Sequence, residues 1–249
     1  VPLPPLRFVL LRPRNAENLG AAARALKNCG FSDWVWVRPE VEDLAPAYRL
    51  AVHAGDVLEG ARRADSLAEA VADCVWVVGT SSRSLEGKRR LAPRVLAPEA
   101  VRRAGEGGGP VAIVFGDERS GLQNEELHRC HDLSSVPTDP EQPSINLAQS
   151  VLLYAYELRV AALQAPERPS AERLPATDAA LAHLEDALGR VLTRAGFLVN
   201  EGRHGLRDLV APLRRARLGR DEAGLWTAAL HSVLRKLPAR EAPDASSQD

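Results

Sequence analysis

Three short segments of the chain carry residue types able to bind or orient a polar substrate. The first is PRNAENLGAAAR, residues 13–24, where Asn18 and Gly20 precede Arg24 on an alanine-rich run. Asn18 is suited to cap a helix, and Gly20 admits a close backbone approach. Taken alone, the string is a capped helix with a surface arginine. The second is VFGDERSGL, residues 114–122, an apolar run ending at Gly116 and followed by Glu118 and Gly121. Taken alone, it is a glycine-rich turn. The third is VPTDPEQPSINLAQS, residues 136–150, where Ser144 and Asn146 stand at the start of a helical pattern. Ser144 is a candidate cap. Asn146 is a mediocre helix former and needs a polar partner near a buried helix start. HRCHD at 128–132 offers two histidines, a cysteine and an aspartate, but nothing elsewhere completes a zinc site, so no metal is expected. No G-x-G-x-x-G follows the first strand, which argues against a nicotinamide enzyme.

The elements around these segments define the fold class. Apolar runs at 7–11, 35–37, 74–79, 111–116 and 133–136 read as strands, and helical patterns at 18–29, 46–58, 66–73, 98–104, 122–130 and 144–163 separate them. Strands without alternation, divided by helices, predict a parallel sheet covered on both faces, an α/β class. Such sheets bind ligands at the carboxyl ends of their strands, where all three segments fall. This domain is expected over residues 1–164. Residues 165–177, rich in Pro and polar residues, read as a linker. Residues 178–240 show only helical spacing and predict an appendage of about three helices, followed by a polar tail at 241–249.

Composition sets limits. Hydrophobic residues are 45% and charged residues 26% of 249, which excludes a disordered chain or a rod. No apolar run is long enough for a membrane span. Val1 to Leu11 lacks the layout of a secretory signal, and three widely spaced cysteines fit a reducing cytoplasm. Net charge is −1, so a polyanion partner needs a local basic patch. Residues 82–103 supply one, with seven basic residues against Glu86 and Glu99, and residues 178–240 carry eleven basic against seven acidic.

In their order and placement the three segments resemble the motifs of the SpoU branch of the SPOUT RNA 2′-O-methyltransferases. The stretches 53–84 and 124–132, the helix SVLLYAYELR and the helical appendage are similar to the bacterial TrmJ-type group of tRNA ribose methyltransferases. The resemblance covers nearly the whole chain.

That resemblance implies a deep trefoil knot in the C-terminal part of the α/β domain, a topology that periodicity does not reveal. It implies S-adenosyl-L-methionine as cofactor, held by Thr80, Ser81, Ser82, Gly116, Val136, Pro143, Ser144 and Ile145, with Gly116 leaving room for the adenine. It implies a homodimer with the active site at the subunit interface, and Arg24, Ser144 and Asn146 as catalytic residues supported by Asn18 and Glu118. A guanidinium stays protonated, so Arg24 suits an orienting clamp better than a base, and Glu118 would orient Arg24 or a neighbouring loop. The substrate implied is tRNA, at the ribose of a cytidine or uridine at nucleotide 32 of the anticodon loop. Arg83, Lys88, Arg89 and Arg90 would then track phosphates. Ribosomal RNA methylation and a catalytically silent RNA-binding module are the rival readings.

Overall fold

The computed structural model describes residues 3–165, 174–198 and 203–238. The chain divides into two compact units, Val1–Ala179 and Ala180–Asp249. In the first, seven strands form one sheet: β1 Leu6–Leu11, β2 Trp34–Val37, β3 Arg62–Ala64, β4 Trp76–Thr80, β5 Arg90–Leu91, β6 Val111–Phe115 and β7 Asp132–Ser134. Their spatial order is β3-β2-β1-β6-β4-β7-β5, and every pairing is parallel.

The helices of this unit are α1 Ala16–Cys29, α2 Ala45–Leu50, α3 Gly55–Glu59, α4 Leu67–Ala70, α5 Pro93–Gly105, α6 Asn124–Arg129 and α7 Leu147–Gln164. Side chains alternate across the sheet, so each strand feeds two cores. Phe8, Leu10, Trp34, Trp36, Ile113 and Phe115 face the layer of α1, α5 and α7. Val9, Leu11, Val35, Val37, Ala112 and Val114 face the layer of α4 and α6. Burial on both faces explains why these strands read as unbroken apolar runs.

Four local differences from the expected elements have physical causes. β3 and β5 are short edge strands built on Arg62–Arg63 and Arg90, with no apolar run to announce them. The helix expected over 46–58 is two helices, broken where His53 takes a left-handed φ of 58°. The helix expected over 98–104 starts earlier, at Pro93, because proline is well tolerated in a first turn. The residues just before α8 are docked rather than loose: Ala176 is buried and Pro175 lies over Gly108, and in the first turn of α8 Asp178 N–H donates to the Cys74 carbonyl at 2.7 Å and Ala179 N–H to the Ala72 carbonyl at 2.9 Å. Within the segment 165–177 read as a linker, residues 166–173 lie outside the described residues, as does the tail at 241–249.

The second unit is all helical: α8 Asp178–Arg194, which starts in the first unit, α9 Arg203–Arg215 and α10 Arg220–Lys236. Arg214 of α9 pairs with Glu185 of α8 at 2.5 Å, and the Leu206 side chain packs over Gly189. No helix among the described residues is long and apolar enough to cross a membrane.

Candidate active site

Strand order brings the three segments together. β1 and β6 are hydrogen-bonded neighbours, so the loop after β1 (12–15) lies beside the loop after β6 (116–123). β6, β4 and β7 are consecutive, so Gly116, Thr80 and Val136 leave the same edge of the sheet in adjacent positions. The 135–146 loop then leads into α7, which lies across the same core as α1.

A directed chain of side-chain hydrogen bonds joins the segments. Asn146 Nδ2 donates to Asn18 Oδ1 at 2.9 Å, and Asn18 Nδ2 donates to Glu118 Oε1 at 3.1 Å. Glu118 also accepts from the backbone N–H groups of Arg14 (3.1 Å) and Asn15 (3.2 Å). Asn146 Oδ1 accepts from Ala148 N–H at 2.9 Å and Gln149 N–H at 3.3 Å, so Asn146 is the N-cap of α7. With its oxygen committed to the cap, only its N–H₂ can reach Asn18, and that fixes the orientation of both amides.

Three expectations need correction here. The cap of α1 is Asn15, not Asn18; its side chain accepts from Glu17 N–H and Asn18 N–H, which leaves Asn18 free to link the motifs. The cap of α7 is Asn146, not Ser144, which is exposed in the preceding loop. Gly116 does not open a slot for a ligand on its Cβ side, because a Cβ there would collide with the backbone of Gly121 and Leu122. That glycine is needed so the 116–122 turn can close on itself. Gly20 has the close approach expected of it, against the carbonyl of Ala47 in α2.

The turn is held from within. Asp117 accepts from Arg119 N–H (2.9 Å), Ser120 N–H (2.8 Å) and Ser120 Oγ–H (2.5 Å), and lies 3.6 Å from Arg12. Burial opposes its charge, but these donors and Arg12 together hold its carboxyl below the ordinary value. Arg12 in turn forms a bidentate pair with Glu126 of α6.

The proposed cofactor positions line one edge. Ser81 N–H donates to the Ser134 carbonyl at 2.8 Å, and Ser81 Oγ accepts from Arg83 N–H at 3.0 Å. Thr80, Val136 and Ile145 are half-buried, whereas Ser82, Pro143 and Ser144 are exposed. Hydroxyls and main-chain groups beside half-buried Val136 and Ile145 suit a mostly apolar ligand with a few polar handles, so the residues fit a nucleoside cofactor. Beneath them Tyr154 of α7 donates to Ser134 Oγ at 2.7 Å, and Ser134 Oγ–H donates to the Leu91 carbonyl at 2.7 Å. Burial pushes the Tyr154 phenol up to about 12, so it stays a neutral donor.

Arg24 stands apart. It is exposed on α1 and has no hydrogen-bond or ion-pair partner among the described residues. Glu118 orients the 14–15 loop and Asn18 rather than Arg24.

The model of the SpoU rRNA Methylase family matches residues 5–156, a span containing the whole Glu118–Asn18–Asn146 network. The chain belongs to that family. It is 36% identical over 238 residues to an uncharacterised tRNA/rRNA methyltransferase of Haemophilus influenzae, covering 93% of this chain and 95% of the relative. It is 39% identical over 225 residues to the tRNA (cytidine/uridine/adenosine-2′-O-)-methyltransferase TrmJ of Pseudomonas aeruginosa, covering 84% of each. The crystal structure of TrmJ from Zymomonas mobilis ZM4 superposes with a TM-score of 0.77 at 31% identity, covering 92% of this chain and 98% of that one.

For a SpoU methylase, the basic segment 82–103 has an unexpected disposition. Arg83 donates to Asn124 Oδ1 at 3.0 Å and to the Leu122 carbonyl. Lys88 donates to the carbonyls of His128 (2.9 Å) and Cys130 at the end of α6. Arg89 pairs with Asp132 at 3.0 Å, and Arg90 donates to the Ser82 carbonyl at 3.0 Å. Arg94 pairs with Glu157 at 3.0 Å, Arg102 with Glu106, and Arg103 with Glu99 while stacking 4.1 Å from the Trp76 ring centroid. The cations of this segment thus have partners within the fold: Arg83, Lys88, Arg89 and Arg90 brace the β4–β5 loop, and Arg94, Arg102 and Arg103, which stand on α5, pair with Glu157, Glu106 and Glu99.

The HRCHD stretch is the end of α6 running into β7. His131 Nδ1 accepts from Val77 N–H at 3.0 Å, and Asp132 accepts from Trp76 Nε1–H at 3.0 Å. Among the described residues no group of three or more His, Cys, Asp or Glu side chains is placed to hold a metal. Sequence reasoning missed Asn15, Asp117 and Tyr154. Asn15 was accessible as an asparagine directly before the helical run, and Asp117 as the aspartate of a G-D-x-x-x-G turn. Tyr154 carried no signal beyond its place in an apolar helix.

Proposed function

We propose that the chain is an S-adenosyl-L-methionine-dependent tRNA ribose 2′-O-methyltransferase. It acts on a cytidine or uridine at nucleotide 32 of the anticodon loop, in the cytoplasm, as a homodimer with a trefoil-knotted cofactor site. The observation that carries this reading is the Glu118–Asn18–Asn146 chain, which unites the three motif segments at the carboxyl edge. The names of relatives that this chain matches over most of its length support the tRNA and ribose assignments.

Thr80–Ser82, Gly116, Val136 and Pro143–Ile145 would hold the cofactor, whose sulfonium supplies the methyl group. The protein's own contribution is positional. Arg24, permanently charged, clamps the substrate's ribose-phosphate and aligns the 2′-hydroxyl for attack. Ser144 and Asn146 border the reacting centre, and Asn146 fixes the start of α7 relative to Asn18. Support for a shared site comes from α7, which buries one face yet exposes Leu152, Tyr156 and Leu163 on another, and from the uncommitted Arg24. The strand order supports the knot, because the loop 81–89 must span the position of β7 to connect β4 with β5. A single-stranded anticodon loop presents its sugars openly, which suits this chemistry.

The test is incubation with labelled S-adenosyl-L-methionine and unmodified tRNA transcripts, followed by nuclease digestion and mass spectrometry. A methyl on the ribose of nucleotide 32 is the expected result, and transcripts carrying C, U or A there give the base preference. Transfer to ribosomal RNA but not to tRNA would overturn the substrate assignment.

A further inference from the structure

We propose that Arg119 binds a backbone phosphate of the tRNA at the rim of the site, a contact that rests on the tRNA reading above. The argument starts from the cations in the loops leaving the carboxyl edge of the sheet. After β1, Arg12 is paired with Glu126 and Arg14 with Glu40 at 3.0 Å. After β2, Arg38 donates to the Asp65 carbonyl at 2.5 Å. After β4, Arg83, Lys88 and Arg89 are bound to Asn124, the α6 carbonyls and Asp132. After β6, Arg119 is exposed, and its guanidinium has no partner among the described residues.

The acids next to Arg119 are already engaged. Glu118 is taken by Asn18 and the backbone of Arg14 and Asn15, and Asp117 by Ser120 and Arg12. The backbone under Arg119 is fixed, since its N–H donates to Asp117 Oδ1 and Gly121 N–H closes the turn on the Asp117 carbonyl at 3.0 Å. A rigid turn thus presents one unpaired guanidinium directly beside Glu118, the residue that ties the first two motif segments together. An anchored backbone with a free fork of donors is preorganised for an external oxyanion, and the oxyanion of an RNA substrate is its phosphodiester.

The experiment is filter binding of an unmodified tRNA transcript to the full chain across a series of NaCl concentrations. Wild type, Arg119→Ala and Arg119→Lys are compared, with calorimetric titration of S-adenosyl-L-methionine on each. Arg119→Ala should weaken tRNA binding about tenfold and flatten the plot of log affinity against log salt by about one phosphate contact. Arg119→Lys should restore the salt slope, and cofactor affinity should be unchanged in both. Unaltered affinity and slope in Arg119→Ala would overturn the inference while leaving the tRNA reading intact. Joint loss of cofactor and tRNA binding would also overturn it, because the residue would then be supporting the turn. If wild type neither binds nor methylates tRNA, the tRNA reading falls and the inference with it.

Discussion

The sheet has two edges, and they dispose of arginine in opposite ways. At the amino edge, Arg7, the second residue of β1, is almost wholly buried, 6% exposed, and every nitrogen of its guanidinium is occupied. Nε pairs with Asp33 at 3.0 Å, Nη2 with Asp73 at 2.9 Å, and Nη1 donates to the Ala70 carbonyl at 2.9 Å. In the turn after β6 at the carboxyl edge Arg119, and further along α1 Arg24, are exposed and have no such partners among the described residues. A satisfied guanidinium joins elements of the fold, here β1 with the turns before β2 and β4. An unsatisfied one, such as Arg119 next to Glu118 of the amide network, is available to a ligand. On the proposed function, the difference would separate a stability residue from a functional one without reference to its position in the sequence.

The strongest way to break that contrast is to remove Arg24. Arg24→Ala should lower turnover on tRNA on the order of a thousandfold, the range seen when a group that organises the transition state is lost. Cofactor affinity and thermal stability should stay at wild-type values, because Arg24 contributes no described contact within the fold. Wild-type turnover in this variant would remove Arg24 from the mechanism.

Arg7→Met should do the reverse. Loss of the buried partner should cost about 2 kcal/mol of stability, less than a fully buried pair because Asp33 and Asp73 can regain water. Urea unfolding measures it. The pH dependence sharpens the test. The hydrogen bond from Arg7 is the largest influence on Asp73 and holds its carboxyl below the ordinary value. A depressed folded-state value gives stability that is full above the unfolded carboxylate range and lost as pH falls through the folded one. Wild type should therefore lose stability on acidification below about pH 4, and Arg7→Met should lose less over the same range.

The network itself lies between these extremes. Asn146→Asp keeps an oxygen to cap α7 but cannot donate to Asn18. It should retain stability within about 0.5 kcal/mol, since Asp and Asn cap almost equally well. Its activity should fall about tenfold, in keeping with the sensitivity of catalysis to small misplacements. Asn146→Ala should lose the cap as well and about 1 kcal/mol of stability. Equal activity in wild type and Asn146→Asp would show that the link to Asn18 has no part in the reaction.

How much of this was legible beforehand depended on which physics each feature expresses. β1, β2, β4 and β6 announced themselves because strands buried on both faces are uniformly apolar, and the α/β class followed. The edge strands at Arg62 and Arg90 gave no signal, since pairing at a sheet edge needs no burial. The three motif segments were recognisable as strings, but the hydrogen bond from Asn146 to Asn18 spans 128 residues and exists only because of strand order. Charge was the least legible feature. The basic residues of 82–103 suggested a phosphate track. Arg102 and Arg103 pair with Glu106 and Glu99 one turn away along α5, but the partners of Arg83, Lys88, Arg89 and Arg94 come from α6, Asp132 and Glu157, and only folding brings these alongside.

Arg90→Ala tests that last point with the smallest expected effect. Arg90 is exposed and basic, like Arg119, but its guanidinium is already bonded to the Ser82 carbonyl at 3.0 Å and to Ser84 Oγ at 3.3 Å. Its removal should therefore leave the salt slope of tRNA binding where it was. What it should change, by about twofold, is cofactor affinity, since a solvent-exposed hydrogen bond to the backbone contributes only a few tenths of a kcal/mol to holding the Ser82 loop. A salt slope that flattens as much in Arg90→Ala as in Arg119→Ala would mean that internally bonded cations also serve the RNA. The division between satisfied and unsatisfied arginines would then no longer separate structure from function at this edge of the sheet.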